Sequence, residues 1–470
     1  MRASLQLSDR ALIASLLLLN LAVKLCWLGV NELTLDEPFT VYWSQRSISD
    51  LSTMLRTENN PPLFFLLIKA WSALVPFEPA WLRVPSAVFS ALTVWPMFLL
   101  ANRLSCRAVA LTAALIFTFT NYHYGFAHEV RAYALFTLLA TTGMWLLVRG
   151  KDKPNNGLRA MLGLSALNVL LVYTHFFGWL AAGWQLLCVL LLPELRHLKR
   201  NFLFGLGNTT VWYLPYAKFF LGRMGSSVSQ GTWVEPPVPE ELYNMLWRWS
   251  NAPVLVIAFL LLIVVGAWRS KLSALGMRLA LLWALVPLLG MFAVSYFVPM
   301  FLDRYLVYAA PGFALLVALC IGSVALETRV SLGLSGFAII GILVTFTPWK
   351  DNGRHPSRVV MQVREWQAGD VIIQPPWYDL TFLYASDPKG CFSLPDADQS
   401  FCMGKGFLWT AEDVSSLLID PEVEDQVVLV DAGGDLVDPS GSVKSALRAT
   451  LPHVDSVEAD HRVWVYRFRR

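Results

Sequence analysis

Apolar runs of about 20 residues recur from Ala11 to Thr347, broken by short polar turns. Each run is long enough to cross a hydrocarbon core of about 30 Å as a helix, which satisfies every backbone N–H and C=O internally, as lipid demands. The pattern predicts an all-α polytopic membrane domain over residues 1–347, with about 11 to 13 transmembrane helices. Its first run, Ala11 to Val30, lacks a small-residue cleavage site and leads into a charged loop, so it reads as a retained span. From Pro348 the pattern changes. Short β-rich runs at Asp370 to Gln374, Gln426 to Asp431 and Arg462 to Tyr466 alternate with helix-like stretches, which predicts a small α/β soluble domain over residues 348–470. Gly433-Gly434 lacks the spacing of a phosphate-binding glycine motif and reads as a turn. There is no fixed repeat and no low-complexity stretch.

Hydropathy alone makes Pro61 to Val75 another span, but counting it destroys the alternation of Lys and Arg further along. Left out, the count is about 11 spans, and the N-terminus with Arg2 and Arg10 lies inside. The basic turns at Arg103/Arg107, Arg149 to Arg159, Arg196 to Arg200, Arg269 to Arg278 and Arg329 then all fall on the cytoplasmic side. The outer segments become Asn31 to Arg83, Gly125 to Arg131, the turn at His175, Leu221 to Asn251, Pro299 to Arg304 and everything after Thr347. Residues 31–83 form the first outer, periplasmic loop. Within it, 61–75 reads as an apolar half-helix at or dipping into the outer surface, with a Pro-Pro start suited to a helix N-terminus.

Composition agrees: 56% of residues are hydrophobic and 15% charged, against about 25% charged in an ordinary soluble protein. The net charge of +3 says little about partners. Cys26, Cys106, Cys188 and Cys320 lie in apolar runs and are expected as packing groups, whereas an oxidising compartment would allow Cys391 and Cys402 to pair. No zinc spacing, P-loop or GxSxG appears, and nothing points to nucleic acid.

The unusual polar residues sit at the outer ends of the spans. Asp36 and Glu37 stand side by side just after the first span. Adjacent carboxylates at a low-dielectric boundary repel and recruit a cation or a hydroxyl donor, and such a carboxylate can act as general base; a solvated acidic loop is the plainer alternative. Glu58 and Asn60 precede Pro-Pro at the half-helix and would be held at the membrane surface. The turn His128-Glu129-Val-Arg131-Ala-Tyr133 opens a new span and places Arg131 at or near a helix N-terminus, where guanidinium and free N–H groups make a phosphate site. If that helix already includes Glu129, Glu129 and Tyr133 share a face. The alternative is an interfacial anchor with Arg and Tyr snorkelling. His175 lies in a tight outer turn, as a hydrogen-bond donor to a substrate or as a structural histidine among aromatics, and Arg304-Tyr305 repeats the placement of Arg131. Lys24, Lys69 and Lys218 are the lysines nearest the spans, expected mostly to snorkel although any could reach a phosphate.

Taken together, the Asp-Glu pair, the Pro-Pro-Leu-aromatic start of the half-helix, Leu82-Arg-Val-Pro-Ser-Ala87, Glu129-x-Arg-x-Tyr133, Tyr173-Thr-His-Phe-Phe-Gly178 and Arg304-Tyr305 resemble the C-type (GT-C) membrane glycosyltransferases. The likeness is to the bacterial branch akin to protein O-mannosyltransferases and lipid A aminoarabinose transferases, and covers roughly Leu12 to Pro348. One departure is Asn60, where many relatives have His. The resemblance implies a polyprenyl-phosphate-linked sugar as donor and a lipid, glycan or protein hydroxyl as acceptor. Asp36 would be the base and Glu37 or Glu129 would orient acceptor or sugar. Arg131 and Arg304, with Lys218 a weaker candidate, would take the phosphate. Glu58, Asn60, His128, Tyr133, His175 and Tyr305 would line the substrate site. Displacement would invert the anomeric carbon. No cofactor is called for, with a divalent cation at Asp36 and Glu37 left open. The implied setting is a bacterial inner membrane, with the active site and C-terminus periplasmic and membrane lipids as neighbours. A transporter or lipid flippase is the main alternative, although its ionisable groups would be expected near the bilayer midplane. A noncatalytic scaffold is the second.

Overall fold

Leucine, valine and alanine fill the long runs, and in a computed structural model these runs are helices. The structure describes residues 8–470 except 57, 153–156, 231, 233, 270–273, 325–327, 368–369, 388–408 and 420–424; Cys391 and Cys402 therefore lie outside the described residues. The chain divides into two compact units. The first takes in residues 1–27, 52–66 and 83–348, the second 28–51, 67–82 and 349–470.

In the first unit, Asp9–Leu25, Arg107–Thr118, Tyr133–Gly150, Leu275–Val294 and Ala310–Val324 are among the helices. Among the described residues four helices are long and apolar enough to cross a membrane, or up to six if each of two bent helix pairs is one span. Shorter apolar helices of 10–17 residues include Leu63–Ser72, Arg107–Thr118 and Arg329–Val344. Leu63–Ser72, inside the proposed half-helix 61–75, has 10 residues and so spans about 15 Å, half of the hydrocarbon thickness. Helix Lys199–Gln230 runs on through the start of the expected outer segment at Leu221. The arrangement makes this a multi-pass membrane protein.

Three local devices set turns of this unit. Asn251, with φ 64° between helices Glu240–Ser250 and Pro253–Arg269, occupies a left-handed conformation that asparagine tolerates. Its side chain accepts from the Asn121 N–H at 2.7 Å and donates to the Phe119 and Ile342 carbonyls at 2.9 and 3.2 Å. That fixes the start of the short helix Asn121–Ala127, which leads into the Arg131 turn. Gly178 opens helix Gly178–Leu191 against the end of the preceding helix: a Cβ there would lie 2.6 Å from the Leu171 carbonyl oxygen, so only glycine closes the His175 turn this tightly. Lys24 departs from the snorkelling expectation. It is fully buried, and its Nζ donates to the Thr118 carbonyl at 2.9 Å, one of the last carbonyls of helix Arg107–Thr118 and thus without an intrahelical partner. Cys188 and Cys320 are buried as expected, but Cys26 and Cys106 sit at helix ends and are exposed.

The second unit holds the sheet. Strands β1 (Asp370–Gln374), β2 (Gln426–Asp431), β3 (His453–Asp460) and β4 (Val463–Arg469) lie in the order β1-β2-β4-β3, with β1 and β2 parallel and the other pairs antiparallel. The Val/Ile/Leu runs of β1 and β2 are buried, as a covered parallel pair requires. Ile372, Val427, Leu429, Val443, Leu447 and Phe468 form the core. Gly433, at φ 99°, makes the turn read from the sequence, since its left-handed backbone suits glycine. The early loop enters the same unit with helix Asp36–Gln45 and the start of helix Ile48–Met54, up to Leu51. Glu32 caps helix Pro356–Glu365: its carboxylate accepts from the Ser357 N–H at 3.0 Å and the Ser357 hydroxyl at 2.6 Å.

Candidate functional site

Arg131, His175 and Arg304 lie far apart in sequence, yet the first unit brings them together at three turns. His175 follows helix Gly157–Thr174 and is buried, its ring stacked 5.1 Å from Phe136 and 5.4 Å from Phe177. Its Nδ1 accepts from the Phe177 N–H at 3.2 Å, so the neutral ring carries its proton on Nε2. Tyr305 meets the same ring edge-on at 5.6 Å and Tyr133 lies 5.9 Å away. Burial first, then the positive charges of Arg131 and Arg304, lower the His175 pKa to about 3. Both guanidinium groups are thus near enough to act on this ring, which remains an uncharged donor.

Each arginine is aimed by its turn. Arg131 precedes helix Tyr133–Gly150 by two residues, donates through Nη2 to the Asn60 side-chain oxygen at 3.1 Å and lies 5.7 Å from the Tyr133 ring centroid. The Asn60 backbone carbonyl in turn accepts the Tyr216 hydroxyl at 3.2 Å. Arg304 lies in the 3-10 turn Asp303–Ala309 that leads into helix Ala310–Val324, with its guanidinium 5.7 Å from the Tyr305 ring centroid. Asp303 holds that turn: Oδ1 accepts the Arg304 N–H at 2.7 Å and Oδ2 pairs with Arg248 at 2.6 Å. The sequence reading missed Phe136, Phe177, Tyr216 and the Arg248–Asp303 pair. Only Phe177 lay inside a recognised motif; the others act across long sequence separations.

Other sequence candidates are placed differently. Because the helix after His128 begins only at Tyr133, Glu129 stands in the preceding turn and does not share a helical face with Tyr133. His128 hydrogen-bonds the Lys24 carbonyl through Nε2 at 3.0 Å and lies tilted against the Tyr124 ring at 4.1 Å, a bracing arrangement. Lys218 is exposed on helix Lys199–Gln230, and Glu58 is half-buried after helix Ile48–Met54. Lys69, in the second unit, donates to the Ser44 and Arg46 carbonyls at 3.3 and 2.8 Å and so closes the C-terminal end of helix Asp36–Gln45.

The acidic pair belongs to the second unit, and its two members differ. Glu37 is buried, and its carboxylate accepts from the Thr34 N–H at 3.4 Å while its own N–H returns to the Thr34 carbonyl at 3.1 Å. Asp36 is the half-exposed first residue of its helix. Leu35, immediately before it, has φ 56° and ψ −122°, a strained conformation for a branched residue. Among the described residues no three of His, Cys, Asp and Glu gather as a metal-binding group.

No protein-family model matches the sequence, and no curated protein matches it. Solved structures do. ArnT from Cupriavidus metallidurans in the apo state superposes with a TM-score of 0.62 at 13% identity, over 97% of this chain and 98% of that one. ArnT bound to undecaprenyl phosphate gives 0.61 at 11% identity, over 98% of each chain. The chain has the GT-C fold. Archaeal oligosaccharyltransferase AglB from Archaeoglobus fulgidus, in complex with an inhibitory peptide and a dolichol-phosphate, matches this GT-C chain at 0.56 and 10% identity, over 94% of it and 72% of AglB.

The buried ring makes a pH prediction for this GT-C protein. His175 has a native pKa lowered to about 3 from an ordinary 6.5. Between those values the unfolded chain takes up a proton that the native state refuses, so stability is full above pH 6.5 and falls as the pH drops below it. At pH 5 the loss is about 2 kcal/mol. Thermal unfolding in detergent at pH 7.5 and 5 is expected to show a smaller acid loss for His175→Gln than for wild type. Equal losses would show that the ring protonates in place.

Proposed function

We propose that this chain is a membrane glycosyltransferase that moves a sugar from a polyprenyl-phosphate donor to an acceptor hydroxyl on the periplasmic face of a bacterial inner membrane. The observation that carries the reading is the convergence of Arg131 and Arg304 on one neutral histidine at the ends of apolar helices. Guanidinium groups match phosphate oxygens with paired N–H donors, and a lipid-embedded phosphate presents itself at that level. The GT-C fold and its likeness to ArnT bound to undecaprenyl phosphate support the same donor class.

In the reaction, Asp36 takes the proton of the acceptor hydroxyl as its oxygen attacks the anomeric carbon. The bond from that carbon to the phosphate oxygen breaks on the opposite side, which inverts the configuration. The departing polyprenyl phosphate keeps the electron pair, and its charge is met by Arg131, Arg304 and the His175 Nε2–H. Lys218 is a weaker phosphate candidate. Glu129, Glu58, Asn60, Tyr133 and Tyr305 would line the sugar and acceptor side. The reading requires residues 36 and 131 to face the same side of the bilayer.

Purified protein in vesicles, supplied with polyprenyl-phosphate sugars and envelope glycolipid or protein acceptors, is expected to give stoichiometric sugar transfer and free polyprenyl phosphate. Net movement of donor lipid or solute with no sugar transfer would identify a flippase or transporter instead.

A further inference from the structure

Helix Pro356–Glu365 begins without a side-chain cap of its own, since His355 at its N-cap makes no such bond. The orphan N–H of Ser357 goes to Glu32, whose carboxylate also takes the Ser357 hydroxyl and sits at the positive end of the helix. One residue earlier, Asn31 accepts the Asn352 N–H at 3.0 Å. The His355 N–H is held by Asp460 at 2.8 Å and its ring by Asp351 at 3.1 Å, so the start of the capped helix is itself braced against β3.

These anchors stop four residues short of Asp36, and the intervening chain has little freedom. Leu33 and Thr34 are buried, Leu35 is held at positive φ, and the reciprocal Thr34–Glu37 bonds close the turn. Helix Asp379–Ser386 packs on helix Asp36–Gln45. A strained residue persists only where its surroundings over-determine it; the Leu35 side chain is exposed, so its backbone is held by its buried neighbours Leu33, Thr34 and Glu37, in the unit that also takes in residues 349–470.

We propose that the C-terminal domain is a positioning element for the Asp36 carboxylate, acting through the capping of its helix Pro356–Glu365 by Glu32. This rests on the reading of Asp36 as the base. Removing the cap frees the turn and lets the carboxylate wander from the acceptor proton, where a misplacement of about 1 Å costs roughly a hundredfold in rate.

The test uses the full chain in vesicles. Ser357→Ala is expected to lower kcat by about tenfold to a hundredfold with the donor KM unchanged, and Ser357→Thr, which keeps the hydroxyl, to restore it. Hydrogen exchange of the amides of residues 33–38, read by mass spectrometry, is expected to quicken in Ser357→Ala and in Glu32→Ala but not in Ser357→Thr. Unchanged exchange in both alanine variants would overturn the proposal, and so would quickened exchange with wild-type kcat. Full activity of Asp36→Asn would remove the base reading alone, and the exchange rates would still decide whether the cap holds the turn.

Discussion

Asp36→Asn is expected to lower sugar transfer by about a thousandfold or more while leaving expression and membrane insertion near normal. The substitution keeps the size and shape of a half-exposed side chain at the start of helix Asp36–Gln45, and removes only the capacity to accept a full proton. Glu37 is buried and one of its carboxylate oxygens accepts the Thr34 N–H, so it is placed to hold the turn. Glu37→Gln should therefore act on the turn, with a loss of folded protein, and less on the chemical step. The check is transfer of labelled sugar by membranes matched for protein content. Wild-type turnover with Asp36→Asn would take Asp36 out of the base role.

The second large effect is expected at the cations. A hydrogen bond to a charged group contributes about 1.5 to 3 kcal/mol, so losing one guanidinium contact to phosphate weakens binding by roughly ten- to a hundredfold. Arg131→Glu goes further, since it repels the donor and discards the bond to Asn60. The donor KM is expected to rise about a hundredfold or more with the acceptor KM unchanged. Arg131→Lys, which keeps charge but loses the planar fork, should fall between. Titration of the vesicle protein with polyprenyl phosphate alone checks the same point without turnover. A defect confined to acceptor affinity would count against the phosphate assignment.

The sites nearest these predictions were legible because their signals are short-range. An arginine just before an apolar run, or a histidine in a Tyr-Thr-His-Phe-Phe-Gly turn, announces a helix end regardless of what surrounds it. Leaving Pro61 to Val75 out of the spans follows from charge alternation alone; the helix within it, Leu63–Ser72, has 10 residues. What stayed hidden depends on distant partners. Phe136 stacks on His175 from another helix, Arg248 holds the Arg304 turn across 55 residues, and Lys24 turns inward because a carbonyl at Thr118 awaits it. Strand β3 was overlooked because His453 to Asp460 is mostly polar, as an edge strand with a wet face tends to be. Nor does hydropathy indicate that residues 28–51 join the tail in one unit, because that union depends on individual hydrogen bonds such as Glu32 to Ser357.

That bond spans 325 residues, and it has a consequence for biogenesis. The segment around Glu32 leaves the ribosome 325 residues before Ser357, and the strands of the same unit come later still. Assembly of this unit must therefore wait until Ser357 and the strands that brace it have been made, the slow, non-local kind of closure. Chains that stop before Ser357 would insert their helices yet never fasten the loop that bears Asp36.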